Sequence, residues 1–153
     1  MPRFFAGVDE LRPLLGQEVA VSPWISVEQA RIQHFADAIE DPQWIHVDVE
    51  RARKESPYGV PIAHGFLTLS LLSHLSALAF EIGGCRMKIN YGLNRVRFPQ
   101  AVPAGGRIRA RFTLKGLTIV EDAVQLLWAV TVELEGAPKP ALFAEWLIRV
   151  YPA

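Results

Sequence analysis

The sequence predicts an α+β domain in which an antiparallel sheet wraps around one long central hydrophobic helix. Two observations carry that prediction. Tyr58 to Phe80 reads YGVPIAHGFLTLSLLSHLSALAF and contains no Asp, Glu, Lys or Arg, and a helix apolar nearly all round belongs inside a protein or a membrane. After Gly83 and Gly84 the apolar period changes from helical to alternating, and alternating runs joined by short turns indicate an antiparallel sheet. The uncharged stretch is long enough to invite a membrane-spanning reading, since about 20 apolar residues cross a bilayer. Gly59, Pro61, His64 and Gly65 at its start argue against that reading. So does the narrow small or polar stripe of Ser70, Ser73, His74, Ala77 and Glu81. The alternating flanks decide for a buried helix from about Gly65 to Ile82, ended by Gly83 and Gly84 in a left-handed cap.

The elements follow in order. Phe4 to Leu15 carries a short helical turn at most. Gln17 to Ser22 is a first strand, with Val19 and Val21 on one face, and Pro23 ends it. Ser26 opens a helix, with Gln29 at the capping-box spacing. Val27, Ala30, Phe35 and Ala38 or Ile39 form its apolar face, helped by Ile32. It stops near Asp41, because Pro42 disfavours helical geometry in the residue before it. The segment EDPQWIHVD is a turn followed by a short extended piece, Glu50 to Glu55 a charged surface turn or helical turn, and Ser56 to Pro61 a loop. Past the central helix, Met87 to Phe98 is a long strand interrupted by Gly92. Arg107 to Leu117 sets Ile108, Ala110, Phe112 and Leu114 on one face and Arg107, Arg109, Arg111 and Lys115 on the other. Ala123 to Leu134 and Ala141 to Tyr151 alternate in the same way.

A chain of 153 residues, half of them hydrophobic, is one domain with a real core, residues 1–153 together. The 16 basic and 16 acidic residues cancel, which argues against nucleic acid as a partner. Cys85 is the only cysteine, so there is neither a disulfide framework nor a thiolate zinc cluster. The start, MPRFFAGVDELRP, has too short an apolar run for a secretory signal. A cytoplasmic protein is the expectation.

One local cluster could carry chemistry. Asp41 sits at a helix end and His46 lies five residues on, past a proline turn. A carboxylate and an imidazole on non-repetitive backbone can converge on one small molecule, with Trp44 and Ile45 as a partly dry wall. Such a wall would push the carboxylate pKa upward, toward useful base strength. The plainer alternative is that Asp41 only ends the helix and His46 only starts an extended segment. His64 and Gly65 stand at the start of the central helix, where unpaired N–H groups and a partial positive charge favour a developing oxyanion. Against this, Gly65 could simply permit a tight junction. Ser73 lies two turns on, where a serine on a buried helix usually bonds back to a carbonyl.

The stretch Phe35 to Ala52, FADAIEDPQWIHVDVERA, resembles the signature of the MaoC-like, R-specific (type 2) enoyl-CoA hydratases: an aromatic residue, then Gly-Asp-any-Asn-Pro-aliphatic-His, and a small residue six positions later. Asp41, Ile45, His46 and Ala52 match. Glu40, Gln43 and Trp44 stand where Gly, Asn and Pro are usual, as in the branch that includes NodN-like proteins. Pro61 to Leu67 resembles the family's proline-to-glycine approach to its central helix, and Ser73 falls at the spacing of a serine found there. The resemblance covers about residues 20 to 151. It implies a hot-dog fold, usually a homodimer, and reversible addition of water to a trans-2-enoyl-CoA, giving an R-3-hydroxyacyl-CoA. Asp41 and His46 would hold the water as a coupled acid–base pair, and the Gly65 N–H would stabilise the enolate-like thioester oxygen. The chemistry needs no metal and no redox cofactor, coenzyme A being part of the substrate.

The substrate's phosphates point to two arginine rows. Arg95 and Arg97 share one face of their strand, with Asn94 on the opposite parity, and Arg107, Arg109 and Arg111 form a second row. Both rows also suit an ordinary solvated face. His64 and Ser73 complete the candidate substrate contacts. Phe143, Leu147 and Tyr151 leave the last strand apolar on both faces, which suits a dimer interface. Two other classes compete: a hot-dog acyl-CoA thioesterase, and a non-catalytic acyl-CoA-binding protein or one subunit of a heterodimeric dehydratase.

Overall fold

The computed structural model describes residues 1–153. The chain runs β1 (Arg3–Phe5), a 3-10 turn (Val8–Leu14), β2 (Glu18–Val21), β3 (Ile25–Val27), α1 (Gln29–Ile39), α2 (Trp44–Val47), α3 (Val49–Glu55), α4 (Gly65–Ser70), α5 (Leu72–Ala79), β4 (Phe80–Ile82), β5 (Cys85–Arg97), β6 (Gly106–Val120), β7 (Ala123–Leu134) and β8 (Leu142–Pro152). The main sheet has the order β2-β6-β7-β8-β5, with β3 also on β6. All its pairings are antiparallel.

The uncharged stretch becomes two helical segments that meet at Leu71, whose backbone stays in the right-handed region while its N–H donates to Leu67 O. Leu67, Leu72, Leu75 and Ala79 are buried against the inner face of the sheet. That face carries the residues the alternation assigns to it: Ile108, Ala110, Phe112 and Leu114 from β6, Leu126, Trp128, Val130 and Val132 from β7, and Ala144 and Trp146 from β8. Phe80 packs edge-on against Phe112 at 5.3 Å and lies 4.9 Å from Trp128. Each fully buried side chain of this size contributes about 1.5–3 kcal/mol.

The outer face is solvated and ion-paired. Arg107 bonds Glu135 at 2.9 Å, Arg111 bonds Glu18 and Glu133 at 2.9 Å each, and Arg109 also bonds Glu133. Partial burial of Glu133 pushes its pKa up, but the hydrogen bonds from Arg109 and Arg111 outweigh that and hold it below its ordinary value. These exposed pairs contribute about 0.2–1 kcal/mol each. They commit the Arg107–Arg111 row to glutamates, which leaves the solvated-face reading for it.

Five expectations are corrected. The helix expected from Ser26 begins at Gln29, because the free edge of β6 takes Ile25–Val27 as a strand, with Ser26 opposite Arg107. Gln29 caps nothing and instead bonds His46 O at 2.8 Å. The central helix stops at Ala79 rather than Ile82, because Phe80–Ile82 pairs in parallel with the N-terminal strand Arg3–Phe5. Gly84, at φ 61, turns the chain from β4 into β5 instead of capping the helix, and a Cβ there would stand 3.0 Å from Ala6 O. The segment around His46 is one helical turn, not extended. Within the sheet β8 is an interior strand, and its outward Phe143, Leu147 and Tyr151 are half-buried. Of the sheet's two edges, one is β2 with β3 and the other is β5, which exposes Met87, Ile89, Tyr91 and Leu93.

Candidate active site

Helix α1 ends in a left-handed turn at Glu40 (φ 57, ψ 38), after which the Asp41 N–H donates to Ala36 O at 3.0 Å. A side chain in this conformation costs about 1–2 kcal/mol relative to glycine. The turn swings Asp41 off the helix axis, toward the following turn. Trp44–Val47 then makes a single helical turn that points His46 inward, 7% exposed. Three bonds hold that turn. His46 Nδ1 lies 2.6 Å from Ile62 O, the Ile62 N–H donates to Ile45 O at 3.0 Å, and Gln29 holds the His46 carbonyl. A carbonyl only accepts, so Nδ1 carries the proton and neutral His46 presents a lone pair at Nε2. Burial pushes the His46 pKa down first and the neighbouring His64 adds to that, against the Ile62 bond and Asp41, which raise it. The dry wall expected around Asp41 is not there. Its carboxylate is 48% exposed, and burial falls on His46 instead. Trp44 lies under the Arg51 guanidinium, 4.4 Å from its ring centroid.

His64 precedes α4 and is 4% exposed. Its ring stacks on His46 with centroids 3.7 Å apart and 23° between planes, and Phe35 meets it edge-on at 5.2 Å. Its Nε2 lies 3.1 Å from Asp41 O and 3.8 Å from Asp41 Oδ2. Asp41, His46 and His64 each offer one donor atom within 4.8 Å of the others. His64 Nε2 already bonds a carbonyl and its Nδ1 is buried without a partner, which leaves His46 Nε2 and the Asp41 carboxylate as the free ligand atoms. The arrangement therefore suits a bridging water, with two hydrogen bonds of about 2.8 Å, better than a tetrahedral metal ion.

Beside His46, Gly65 opens α4, and the N–H groups of Gly65 and Phe66 have no backbone partner. A cleft of about 300 Å³ lies in front of them, lined by His46, Gly65, Thr68, Tyr58, Phe98 and Val102 among others. Asp41, His46, His64 and Gly65 thus come together. Ser73 does not join them. It lies eight residues past Gly65, roughly 12 Å along the helix, and lines a separate cavity of about 250 Å³ with Ser76, Asn90 and Trp146. On β5, register shifts at 90–92 and 93–95 put Asn94 in a bulge. Arg95 is opposite Glu145 and Arg97 opposite Phe143, on the outer face. Phe98, next after Arg97, lines the cleft. Gln29, Tyr58, Thr68 and Phe98 are site residues that the sequence reading missed; only the capping-box spacing drew notice to Gln29.

Residues 10–135 match the model of the MaoC like domain. The chain belongs to the MaoC-like family. It is 46% identical over 151 residues to 3-hydroxyacyl-thioester dehydratase Z of Mycobacterium tuberculosis, covering 96% of this chain and 97% of that protein. It is 44% identical to nodulation protein N of Rhizobium meliloti, covering 92% and 88%. Among solved structures, the MaoC-like dehydratase from Rhodospirillum rubrum superposes with a TM-score of 0.77 at 21% identity, covering 96% of this chain and 97% of that one. The (R)-hydratase from A. caviae gives 0.68 at 23%, covering 88% and 94%. The MaoC-like fold here is the hot-dog fold, a sheet wrapped around α4 and α5.

Proposed function

We propose that this chain is an R-specific enoyl-CoA hydratase, adding water reversibly across a trans-2-enoyl-CoA to give an (R)-3-hydroxyacyl-CoA. The observation that carries the reading is the pairing of His46, whose Nδ1 is bound to Ile62 and whose Nε2 is free, with the Asp41 carboxylate, beside the unpartnered N–H of Gly65. Asp41 and His46 hold one water over C3. As its oxygen bonds C3, the pair takes its proton, the C2–C3 double bond shifts charge to the thioester oxygen at the Gly65 N–H, and a proton returns to C2. Which member of the pair serves each proton is left to the coupled pair as a whole. The dehydratase named among the relatives breaks a bond of the kind formed here, run in reverse. No cofactor takes part. Arg95 and Arg97, next to cleft-lining Phe98, meet the phosphates of coenzyme A, and the open edge of β5 pairs with a second copy in a cytoplasmic homodimer.

The test is hydration of crotonyl-CoA by the purified protein, read as loss of the conjugated-thioester absorbance, with thiol release followed separately. Asp41→Asn and His46→Gln should each lower kcat by about 10²–10⁴-fold. R product without thiol release is the expected result. Thiol release would replace the reading with a thioesterase, and silence on all chain lengths with a binding protein or one subunit of a heterodimer.

A further inference from the structure

The His64 ring is buried, at 4% exposed, and does not line the cleft that His46 and Gly65 line, yet it touches both members of the acid–base pair. We propose that His64 is a positioning residue for Asp41 and His46, in place of the substrate contact expected from its location before Gly65. This rests on the hydratase reading above and extends it to a residue that acts through the other two.

Asp41 O only accepts, so the contact at 3.1 Å puts a proton on His64 Nε2. That bond ties the end of α1 to the start of α4, two segments 23 residues apart in sequence. With Nε2 protonated, the neutral ring keeps a bare lone pair at Nδ1, an atom that is buried and has no partner. A second proton would place an unmet donor and a positive charge there, against the face of His46. As neutral imidazoles the stacked rings hold opposite tautomers, Nδ1–H on His46 and Nε2–H on His64. One face of His46 is covered by His64, and its edge is pinned by Ile62. The imidazole cannot swivel, its Nε2 stays aimed away from Ile62, and Asp41 is held at a set distance from it. A shift of about 1 Å in such a pair costs up to about 100-fold in rate.

The test compares wild type with His64→Phe and His64→Gln. Phenylalanine keeps the ring and the stack but removes the donor to Asp41, while glutamine supplies an N–H that reaches the same carbonyl. With crotonyl-CoA, His64→Phe should lower kcat by about 10- to 100-fold with KM within about threefold, and His64→Gln should restore at least about fivefold of the loss. A raised KM with kcat kept would make His64 a substrate contact and overturn the proposal, as would unchanged kinetics or a glutamine variant no better than phenylalanine. Nitrogen-15 spectra of the imidazoles read the same point without turnover. Opposite tautomers at neutral pH are expected, and matching tautomers or a charged His64 would overturn the proposal even if the phenylalanine variant did not fold. If the wild type hydrates no enoyl thioester, the hydratase reading falls, and the spectra still judge whether His64 holds the pair.

Discussion

Gly65→Ala perturbs the site where the available space is best defined. Gly65 has no positive φ, so alanine meets no backbone strain there. Its Cβ would stand 3.2 Å from Cδ2 and Cγ of Phe98 and 3.3 Å from Cδ1, against 3.4–4 Å for ordinary contact. The Phe98 ring is 42% exposed and can yield a few tenths of an ångström for about 1 kcal/mol or less, below the usual cost of overpacking. Replacing glycine returns about 0.4–1 kcal/mol through the unfolded chain. The two effects offset, so the melting temperature should move by no more than about 4 °C, at about 2–4 °C per kcal/mol for a domain of this size. Turnover should respond far more. The methyl and the displaced ring both enter the cleft where the Gly65 N–H would face the thioester oxygen. A complete oxyanion donor contributes about 2.7–4 kcal/mol; losing about half of it lowers kcat by about 10- to 30-fold. Crotonyl-CoA hydration and thermal unfolding, measured on the same preparations, separate the two. Unchanged kcat in a folded variant would refute the placement of the oxyanion at Gly65. A melting temperature lowered by more than about 10 °C would refute the packing argument.

Other outcomes follow from the same geometry. His46 titrates below its ordinary 6.5 because burial disfavours the imidazolium. Its contribution to stability is therefore full above the unfolded value and lost as pH falls through the lower folded value. The acid limb of kcat/KM should likewise lie below 6.5, and a limb above it would contradict a neutral His46. Ile89→Lys with Leu93→Asp on the open edge of β5 should turn the proposed homodimer into a monomer in sedimentation, and a variant that still sediments as a dimer moves the interface elsewhere. Arg95→Glu with Arg97→Glu should raise KM for crotonyl-CoA about tenfold, with the effect shrinking in high salt. The same change toward a short pantetheine thioester would mean the arginines do not meet phosphate.

The strands of the core were legible because alternation survives wherever one face is buried: every second residue from Ile108 to Leu114 and from Leu126 to Val132 is inside. Asp41 and His46 were legible because proline and helix-end signals fall between them. Four features were hidden. Ile25–Val27 is too short to show a period, and its strand exists because β6 offers an edge. Phe80–Ile82 continues the apolar run of the helix, so only the distant Arg3–Phe5 reveals that it pairs. The bulges of β5 reset parity twice, placing Asn94 in a bulge that alternation cannot anticipate. The burial of His64 was hidden for a similar reason, since the surfaces that cover it come from Phe35 and His46, far back in the chain.

The parallel pairing of β1 with β4 has a consequence for a chain leaving the ribosome. Arg3–Phe5 has no strand partner until Phe80–Ile82 has been made, and β2 and β3 have none until β6. Glu18 and Arg111, bonded across the outer face, are 93 residues apart in sequence. Local contacts can form α1 early, but the uncharged helix emerges with nothing to cover it and waits for three strands synthesised after it. The domain thus closes late and at once, from its C-terminal end, with loop-closure entropy set against it until then. In that interval the helix that organises the finished fold is the segment most exposed to aggregation, and the one a chaperone has most reason to hold.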